Sequence, residues 1–309
     1  MVRLGVDLGG TNIAVGLVDE QHEILAYTSV PTGAKRPAEL IVADLCDAVD
    51  SVLQKAGIRI EDCEIIGVGA PGTCDVQKGI VIRSYSLSWA NIPLSAMMGE
   101  RFSVPIRLDN DANCAALAEV KAGAAVGLEN VVLVTLGTGI GTGIVIHGKI
   151  YTGLKGNGTE MGHVMLDMNG ELCTCGRRGC WDAFASATSL IVQAKRAAAS
   201  RPESALNRIE NMTGQSVFET ADQGDVTAKF VVAQYCEYLA IGISNIVNAL
   251  APEMILVGGG ISRQGDRILD PVRKYVRERC FDTREDALPI IQVASMGNDA
   301  GIIGAAALQ

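Results

Sequence analysis

Two segments of the chain repeat one short pattern, and this repeat constrains the fold more than any other feature. Residues 4–18 read LGVDLGGTNIAVGLV and residues 132–146 read VLVTLGTGIGTGIVI. Each contains an apolar strand, a Leu-Gly turn continued by glycine or threonine, and a second apolar strand. The copies lie 128 residues apart, far beyond the period of a solenoid repeat. We therefore expect two related domains, each with a glycine-rich hairpin.

Predicted helices and strands alternate between and after the two hairpins. Residues 37–55 have the apolar spacing of a helix that ends at Gly57, and residues 226–250 form a longer apolar helix. Short apolar runs typical of buried strands occupy residues 64–69, 104–108, 254–257 and 291–294. This alternation predicts an α/β architecture.

The charge balance of the 309-residue chain argues against two classes of partner. Its 26 Lys and Arg against 35 Asp and Glu give a net charge of −9, which attracts neither nucleic acid nor an anionic membrane surface. The opening MVRLGVDLGG contains no signal-peptide cleavage site, and polar residues interrupt the longest apolar stretch, residues 238–257. We expect a cytoplasmic protein whose partners are small molecules.

Both glycine-rich turns predict sites for anionic oxygen. We expect their glycines to adopt positive φ, which glycine does without steric cost, and to leave several backbone N–H groups facing one point. A purely structural turn would explain either copy alone, but the same device occurring twice favours binding. Asp7, at the end of the first strand, would hold Mg²⁺ against phosphate oxygens, or else cap the turn.

Asp111 stands at the predicted start of a helix and has two roles open to it. As an N-cap it would accept backbone N–H bonds. If it also faces a cleft, the helix amides would stabilise its anion, and it would accept a proton from a nearby hydroxyl. Asn110 would then orient the neighbour of that hydroxyl.

The strongest signal is a cluster of potential metal ligands, namely His163, Cys173, Cys175 and Cys180. Three thiolates and one imidazole make a closed tetrahedral zinc site, which is structural because it keeps no open position for water. Gly176 and Gly179 permit the tight turn between the cysteines. A disulfide is the competing interpretation, but three close thiols cannot all pair.

Two carboxylates bracket this cluster, Glu160 before His163 and Asp182 after the last cysteine. A zinc-bound imidazole keeps its other nitrogen for an outward hydrogen bond. Carboxylates and an imidazole on a rigid loop suit the recognition of neighbouring hydroxyls, as in a sugar. The alternative is a pair of solvated acids.

These motifs together resemble the ROK family (repressors, open reading frames and kinases) of the sugar kinase and actin superfamily, and its bacterial glucokinases most of all. The resemblance runs over nearly the whole chain, from residues 7–12 to the final helix. It rests on the Glu160-x-Gly-His163 element and on the cysteine cluster at the family's spacing. It implies a two-domain actin-like ATPase fold whose interdomain cleft closes over a hexose and ATP.

The resemblance also implies a domain division and an assembly. We expect an N-terminal domain of residues 1–112, with a C-terminal helix of about residues 296–309 packing back onto it. Residues 113–295 would form the second domain and carry the zinc loop. Family members are commonly homodimers or homotetramers.

Each motif takes a role from the family. Asp111 matches the catalytic base. The sugar-binding positions are Gly72, Asn110, Asp111, Glu160, His163 and Asp182. The ATP and Mg²⁺ positions are Asp7, Gly9, Gly10, Thr11, Asn12, Gly137, Thr138, Gly139 and Gly259. The structural Zn²⁺ ligands are His163, Cys173, Cys175 and Cys180.

The chain departs from the family at two positions near the sugar. Where the family usually has Cys-x-Glu after the last zinc ligand, this chain has Asp182, whose side chain reaches about 1.5 Å less far. Where glucokinases often have Asn, this chain has Ser86. Both changes bear on which sugar is bound rather than on phosphorylation.

We therefore predict an ATP-dependent kinase that phosphorylates the primary hydroxyl of a hexose, with glucose to glucose 6-phosphate as the leading reaction. Kinases for N-acetylmannosamine, fructose, mannose or allose are the alternatives among enzymes. Sugar-sensing repressors of this family carry an N-terminal helix-turn-helix, for which we expect no room before Asp7. A non-catalytic sugar sensor that does not bind DNA stays open.

Overall fold

The computed structural model of the chain describes residues 1–156 and 158–309. Its strands are β1 (Val2–Leu8), β2 (Asn12–Val18), β3 (Ile24–Pro31), β4 (Cys63–Ala70), β5 (Thr73–Asp75), β6 (Ile80–Ser84), β7 (Trp89–Ile92), β8 (Ile106–Asn110), β9 (Val131–Leu136), β10 (Ile140–Ile146), β11 (Lys149–Ile150), β12 (Met254–Gly258) and β13 (Ile290–Val293). Its α-helices are α1 (Ala38–Ala56), α2 (Leu94–Gly99), α3 (Asp111–Ala122), α4 (Asp182–Ala185), α5 (Ala187–Ala199), α6 (Gly214–Asp222), α7 (Val226–Leu250), α8 (Asp266–Arg279) and α9 (Ala300–Ala306).

The repeat seen in the sequence is a repeat of topology. Both copies form the predicted hairpins, β1–β2 and β9–β10. The first sheet has the order β3-β2-β1-β4-β8 and the second has the order β11-β10-β9-β12-β13, so the two orders correspond strand for strand. The sequence pattern did not predict the small antiparallel sheet β5-β6-β7.

The chain divides into two compact units. Unit 1 consists of Met1–Val131, Gly143–Thr159 and Ser295–Gln309, and unit 2 consists of Val132–Thr142 and Glu160–Ala294. This division differs from the predicted one in placing residues 113–131, which include most of α3, and residues 143–159 in unit 1. The predicted boundary at residue 112 stays a prediction.

Unit 1 is built around the first sheet. The predicted helix α1 packs against β2 and β3 and ends at Gly57, whose φ of 69° makes it a left-handed C-cap. The C-terminal helix α9 lies against β1, β4 and α3. Three glycines allow this close approach. A Cβ added to Gly5 would lie 1.9 Å from the Ile302 carbonyl oxygen, and one added to Gly67 would lie 1.8 Å from the Ala305 carbonyl oxygen. A Cβ added to Gly304 would lie 1.7 Å from the Cys114 carbonyl oxygen.

The predicted long helix α7 is the core helix of unit 2. It packs against α5, α6 and α8, and its N-terminus is capped by Asp225, which accepts a hydrogen bond from the Ala228 amide. Among the described residues, α7 is the one helix long and apolar enough to cross a membrane, but 56% of its most apolar window is buried inside the protein. Burial of this kind is typical of a core helix.

Candidate active site

The carboxyl ends of β1, β4 and β8 meet at one edge of the first sheet. Asp7 on β1 pairs with Gly69 on β4, which in turn pairs with Asp109 on β8. Neighbouring strands lie about 4.8 Å apart, so this edge brings the first hairpin within about 10 Å of the start of α3. Unit 1 therefore gathers all of its predicted ligand-binding residues at the same edge.

Asn110, rather than Asp111, caps helix α3. The Asn110 side-chain oxygen accepts hydrogen bonds from the amides of Ala112 (2.8 Å) and Asn113 (3.2 Å). Asp111 is the first helical residue, so the prediction that it serves as the N-cap is wrong. Its Oδ1 accepts a bond from the Ala112 amide, 2.9 Å away. Asp111 thus lies where the positive end of the helix stabilises a carboxylate.

The Asn110 side chain also connects α3 to the turn after β4. Its Nδ2 donates to the Gly72 carbonyl at 3.0 Å. Gly72 has a φ of 103°, and a Cβ there would lie 2.1 Å from the Arg83 carbonyl oxygen, so this position requires glycine. Because an amide nitrogen carries two hydrogens, Asn110 retains one donor beyond these contacts among the described residues.

Asp7 is held in a low-dielectric position beneath the first hairpin. Burial raises its pKa to about 6. Helix α9 packs so closely that a Cβ on Gly301 would lie 2.5 Å from the Asp7 carboxylate. A partly buried carboxylate with few compensating contacts has the chemistry of a cation ligand, because a nearby positive charge would restore its ionised form.

The first hairpin turn is fixed by backbone bonds and by a residue from β3's end. The Gly9 amide donates to the Asn12 carbonyl at 2.9 Å, and the Thr32 hydroxyl donates to the Gly9 carbonyl at 2.7 Å. Neither Gly9 nor Gly10 has a positive φ, so that prediction is wrong for this turn. Space is the constraint instead, since a Cβ on Gly9 would lie 3.0 Å from the Asn12 carbonyl oxygen.

The second hairpin turn likewise forms without left-handed glycines and is held by backbone hydrogen bonds. Gly137 and Gly139 also lack positive φ. The Gly137 amide donates to the Gly139 carbonyl at 3.0 Å, and the Gly137 carbonyl accepts from the Ala187 amide at 2.9 Å. A Cβ on Gly137 would have no neighbour nearer than 3.8 Å, so the outer side of this turn is open. Gly259 (φ 84°) follows β12 and packs against Leu136 at the end of β9.

The four predicted metal ligands converge. Their donor atoms all lie within 4.8 Å of one another, with Cys175 Sγ 3.7 Å from Cys180 Sγ and Cys173 Sγ 3.7 Å from His163 Nδ1. A tetrahedral zinc ion requires sulfur–sulfur separations of about 3.8 Å and sulfur–nitrogen separations of about 3.6 Å. All three cysteines are free thiols. The donor set therefore fits zinc, with His163 facing the cysteines through its Nδ1.

The turn between the cysteines is confirmed as glycine-dependent. Gly176 has a φ of 86° and Gly179 a φ of 76°. A Cβ on Gly179 would lie 1.6 Å from the Asp167 carbonyl oxygen. The loop therefore reaches the cluster geometry through backbone conformations that other residues rarely adopt.

The two carboxylates that bracket the cluster lie in different environments. Glu160 is exposed and precedes the short helical turn Met161–His163. Asp182 is 8% exposed, and its Oδ1 accepts a hydrogen bond of 2.5 Å from the Ile140 amide. Burial raises the pKa of Asp182, against the opposing effects of this bond and of His163. A solvated role for Asp182 is thus wrong.

The predicted site residues fall into two sets. Unit 1 holds Asp7, Gly9, Gly10, Thr11, Asn12, Gly72, Asn110 and Asp111. Unit 2 holds Gly137, Thr138, Gly139, Glu160, His163, Cys173, Cys175, Cys180, Asp182 and Gly259. Thr32 and Ile140 support the two turns and were not predicted from the sequence. An isolated threonine and an apolar strand residue carry no local signal of such contacts.

Comparison with known proteins identifies the class. The glucokinase of Halalkalibacterium halodurans is 36% identical over 306 residues, covering 97% of this chain and 92% of the relative. The structure of a ROK family glucokinase from Streptomyces griseus, in complex with glucose and AMPPNP, matches at 34% identity with a TM-score of 0.83, over 99% of this chain and 98% of that chain. The xylose repressor of Bacillus spizizenii is 30% identical over 97% of this chain and 75% of the repressor.

These likenesses and the paired sheets define a protein with the two-domain actin-like ATPase fold of sugar kinases. The ROK family model matches residues 3–309. The chain therefore belongs to the ROK family.

Proposed function

We propose that the protein is an ATP-dependent hexose kinase that converts glucose to glucose 6-phosphate in the cytoplasm. The observation that carries this proposal is the β8–α3 junction. Asn110 takes over the capping bonds, which leaves Asp111 as the first helical residue at the ligand edge of unit 1. The similarity to glucokinases over almost the whole chain supports the same reaction class.

Asp111 would act as the general base. Its carboxylate would accept the proton of the primary hydroxyl while the hydroxyl oxygen forms a bond to the γ-phosphorus. The bond from that phosphorus to the β–γ bridging oxygen would break, and ADP would leave. Such a transfer depends mainly on alignment and on electrostatic stabilisation.

The two hairpins would bind the phosphates of ATP. Because the Gly9 and Gly137 amides donate within their own turns, the backbone N–H groups at Gly10 and Thr11 and at Thr138 and Gly139 would be the donors to phosphate oxygens. Asp7 would hold Mg²⁺, which offsets the charge of the transferring group when bound. Gly259 beside Leu136 would lie against the adenosine.

The candidate sugar ligands are Asn110 in unit 1 and Glu160 and His163 in unit 2. Asn110 contributes its remaining N–H donor, and the Gly72 turn shapes the neighbouring backbone. Glu160 would accept from sugar hydroxyls, and His163 would use its Nε2 while Nδ1 faces the cysteines. Structural zinc would hold this loop, with one ion per chain expected by metal analysis.

An ADP-release assay over glucose, mannose, fructose, allose and N-acetylmannosamine tests the proposal. We expect the highest kcat/KM with glucose. Another sugar ahead of glucose would overturn the substrate assignment. A folded, zinc-replete protein that releases no ADP with any of the five would overturn the kinase assignment.

A sugar sensor is the second candidate, because the chain is also 30% identical to a xylose repressor. Calorimetry separates the two functions. A sensor would bind a sugar without binding ATP, whereas the kinase binds both ligands and turns them over.

A further inference from the structure

The carboxylate of Asp182 joins the cysteine loop to the second hairpin. Asp182 begins α4, two residues after Cys180, and its Oδ1 accepts the Ile140 amide hydrogen at 2.5 Å. Its Oδ2 lies 3.9 Å from Cys173 Sγ. Ile140 is the first residue of β10 and directly follows the turn Gly137–Gly139. The buried Asp182 side chain therefore contacts both the cysteine loop, at Cys173, and the residue that follows the turn, Ile140.

The length of the side chain matters at this position. A Cβ on Gly139 would lie 2.7 Å from Asp182 Oδ1, so the carboxylate already fills the space beside the turn. We expect a longer glutamate, the residue that usually follows the cysteines in this family, to press its carboxylate against α4 or the hairpin. The shorter side chain fits because it ends at the Ile140 amide.

A second set of contacts reaches the same strand from the other end of the loop. The Met161 amide donates to the Thr142 hydroxyl at 3.2 Å. A Cβ on Gly162 would lie 2.3 Å from the Ile140 carbonyl oxygen, so the Glu160–His163 segment is seated directly on β10. Ile140 is thus contacted through its carbonyl by the residues before the first metal ligand, and through its amide by Asp182.

We propose that Asp182 is a positioning residue for the phosphoryl donor rather than a sugar ligand. By fixing the Ile140 amide it orients the N–H groups of Thr138 and Gly139 toward the phosphates of ATP. The geometry of that turn would then depend on the cysteine loop. This inference deepens the proposed function and rests on it for the identity of the nucleotide.

Three substitutions of Asp182 test the assignment. Asp182→Ala removes the acceptor, and we expect the KM for ATP to rise about tenfold or more, with kcat lowered, while the calorimetric Kd for glucose changes less than about threefold. Asp182→Asn keeps an acceptor oxygen and should restore most of the ATP affinity. Asp182→Glu should resemble Asp182→Ala toward ATP, because the longer side chain displaces the turn.

Two measurements separate positioning from a general loss of structure. Hydrogen exchange of the peptide that contains Ile140 should become faster in Asp182→Ala and stay near wild type in Asp182→Asn, at one zinc per chain in both. The matched control is Glu171→Gln on the same loop, which pairs with Arg196 at the surface and should change none of these values.

A different pattern would overturn the inference. If Asp182 is a sugar ligand, Asp182→Ala weakens glucose binding more than about tenfold and leaves the KM for ATP and the Ile140 exchange rate unchanged. If Asp182→Ala does not fold, Asp182→Glu decides, since ATP affinity equal to wild type contradicts a positioning role. Hydrogen exchange and the calorimetric Kd for ATP, which should rise with the KM, are measured without turnover. A failure of the kinase assignment is therefore seen separately in the ADP assay.

Discussion

At the residue scale, the proposed chemistry depends on the different roles of Asn110 and Asp111 at the start of α3. A helix N-terminus needs an acceptor for its first amides, and a catalytic base needs its lone pairs for the substrate. Asn110 is the N-cap, and Asp111 lies in the field of the helix N-terminus while its Oδ1 also accepts the Ala112 amide. This arrangement makes Asp111 the residue whose replacement best isolates the chemical step.

Replacing Asp111 with asparagine should remove proton acceptance while preserving shape. We expect Asp111→Asn to lower kcat by about 10²–10⁴-fold and to leave the calorimetric Kd for glucose within about threefold. Asp270→Asn removes one exposed charge from α8 and serves as the control. Near-normal kcat in folded Asp111→Asn would refute the base assignment.

The raised pKa of Asp7 predicts that activity and stability conflict at this position. A folded-state pKa of about 6, against an ordinary value of 3.8, means that burial favours the protonated form. The contribution of Asp7 to stability is therefore complete below pH 4 and is lost as the pH rises through 6.

Asp7→Asn should accordingly stabilise the ligand-free protein at pH 8 by about 2 kcal/mol and have little effect at pH 4. Urea unfolding of both proteins at the two pH values, without Mg²⁺ or nucleotide, measures this difference. An equal effect of the substitution at both pH values would show that Asp7 ionises in the fold as it does in the unfolded chain.

At the scale of elements, close backbone packing rather than side-chain interdigitation fixes α9. Gly304 meets the Cys114 carbonyl of α3, while Gly5 and Gly67 on β1 and β4 meet carbonyls of α9. Glu119 of α3 adds a buried anchor, since its carboxylate accepts the Met296 amide and the Ser295 hydroxyl, each at 2.8 Å. Helix α3, which begins at the proposed base Asp111, is therefore tied to the segment that leads into α9.

The same Gly→Ala change should lower the free energy of unfolding in α9 but not in α2. At Gly304 a methyl group would lie 1.7 Å from the Cys114 carbonyl oxygen, and we expect Gly304→Ala to lose about 2–4 kcal/mol of stability. At Gly99, where a Cβ has no neighbour within 4 Å, alanine should be neutral or stabilise by up to about 1 kcal/mol. Thermal unfolding of both variants checks the pair, and equal melting temperatures would contradict this account of α9.

At the scale of the whole molecule, the sequence predicts what depends on local pattern and repetition. The duplicated strand–turn–strand pattern gave both hairpins, and the apolar spacing gave α1 and α7. The cysteine spacing gave a cluster whose donor atoms do converge.

Contacts between distant residues could not be predicted. The hydrogen bond from the Ile140 amide to the Asp182 carboxylate joins residues 42 positions apart, and the sequence around either residue gives no sign of it. We expected the glycines of both turns to adopt left-handed backbone conformations, and they do not. The space around each position differs instead, since it is tight at Gly9 and open at Gly137. Which residue caps α3 also depended on side-chain direction, since Asn110 and Asp111 are equally good caps by composition.

The most direct test of the central claim is the identity of the product. When glucose labelled with ¹³C at carbon 6 is incubated with ATP, Mg²⁺ and the protein, ¹³C and ³¹P NMR should show a phosphate ester on that carbon, formed in step with ADP. The ester should be lost with Asp111→Asn. Release of inorganic phosphate alone, or an ester at any other carbon, would contradict the account.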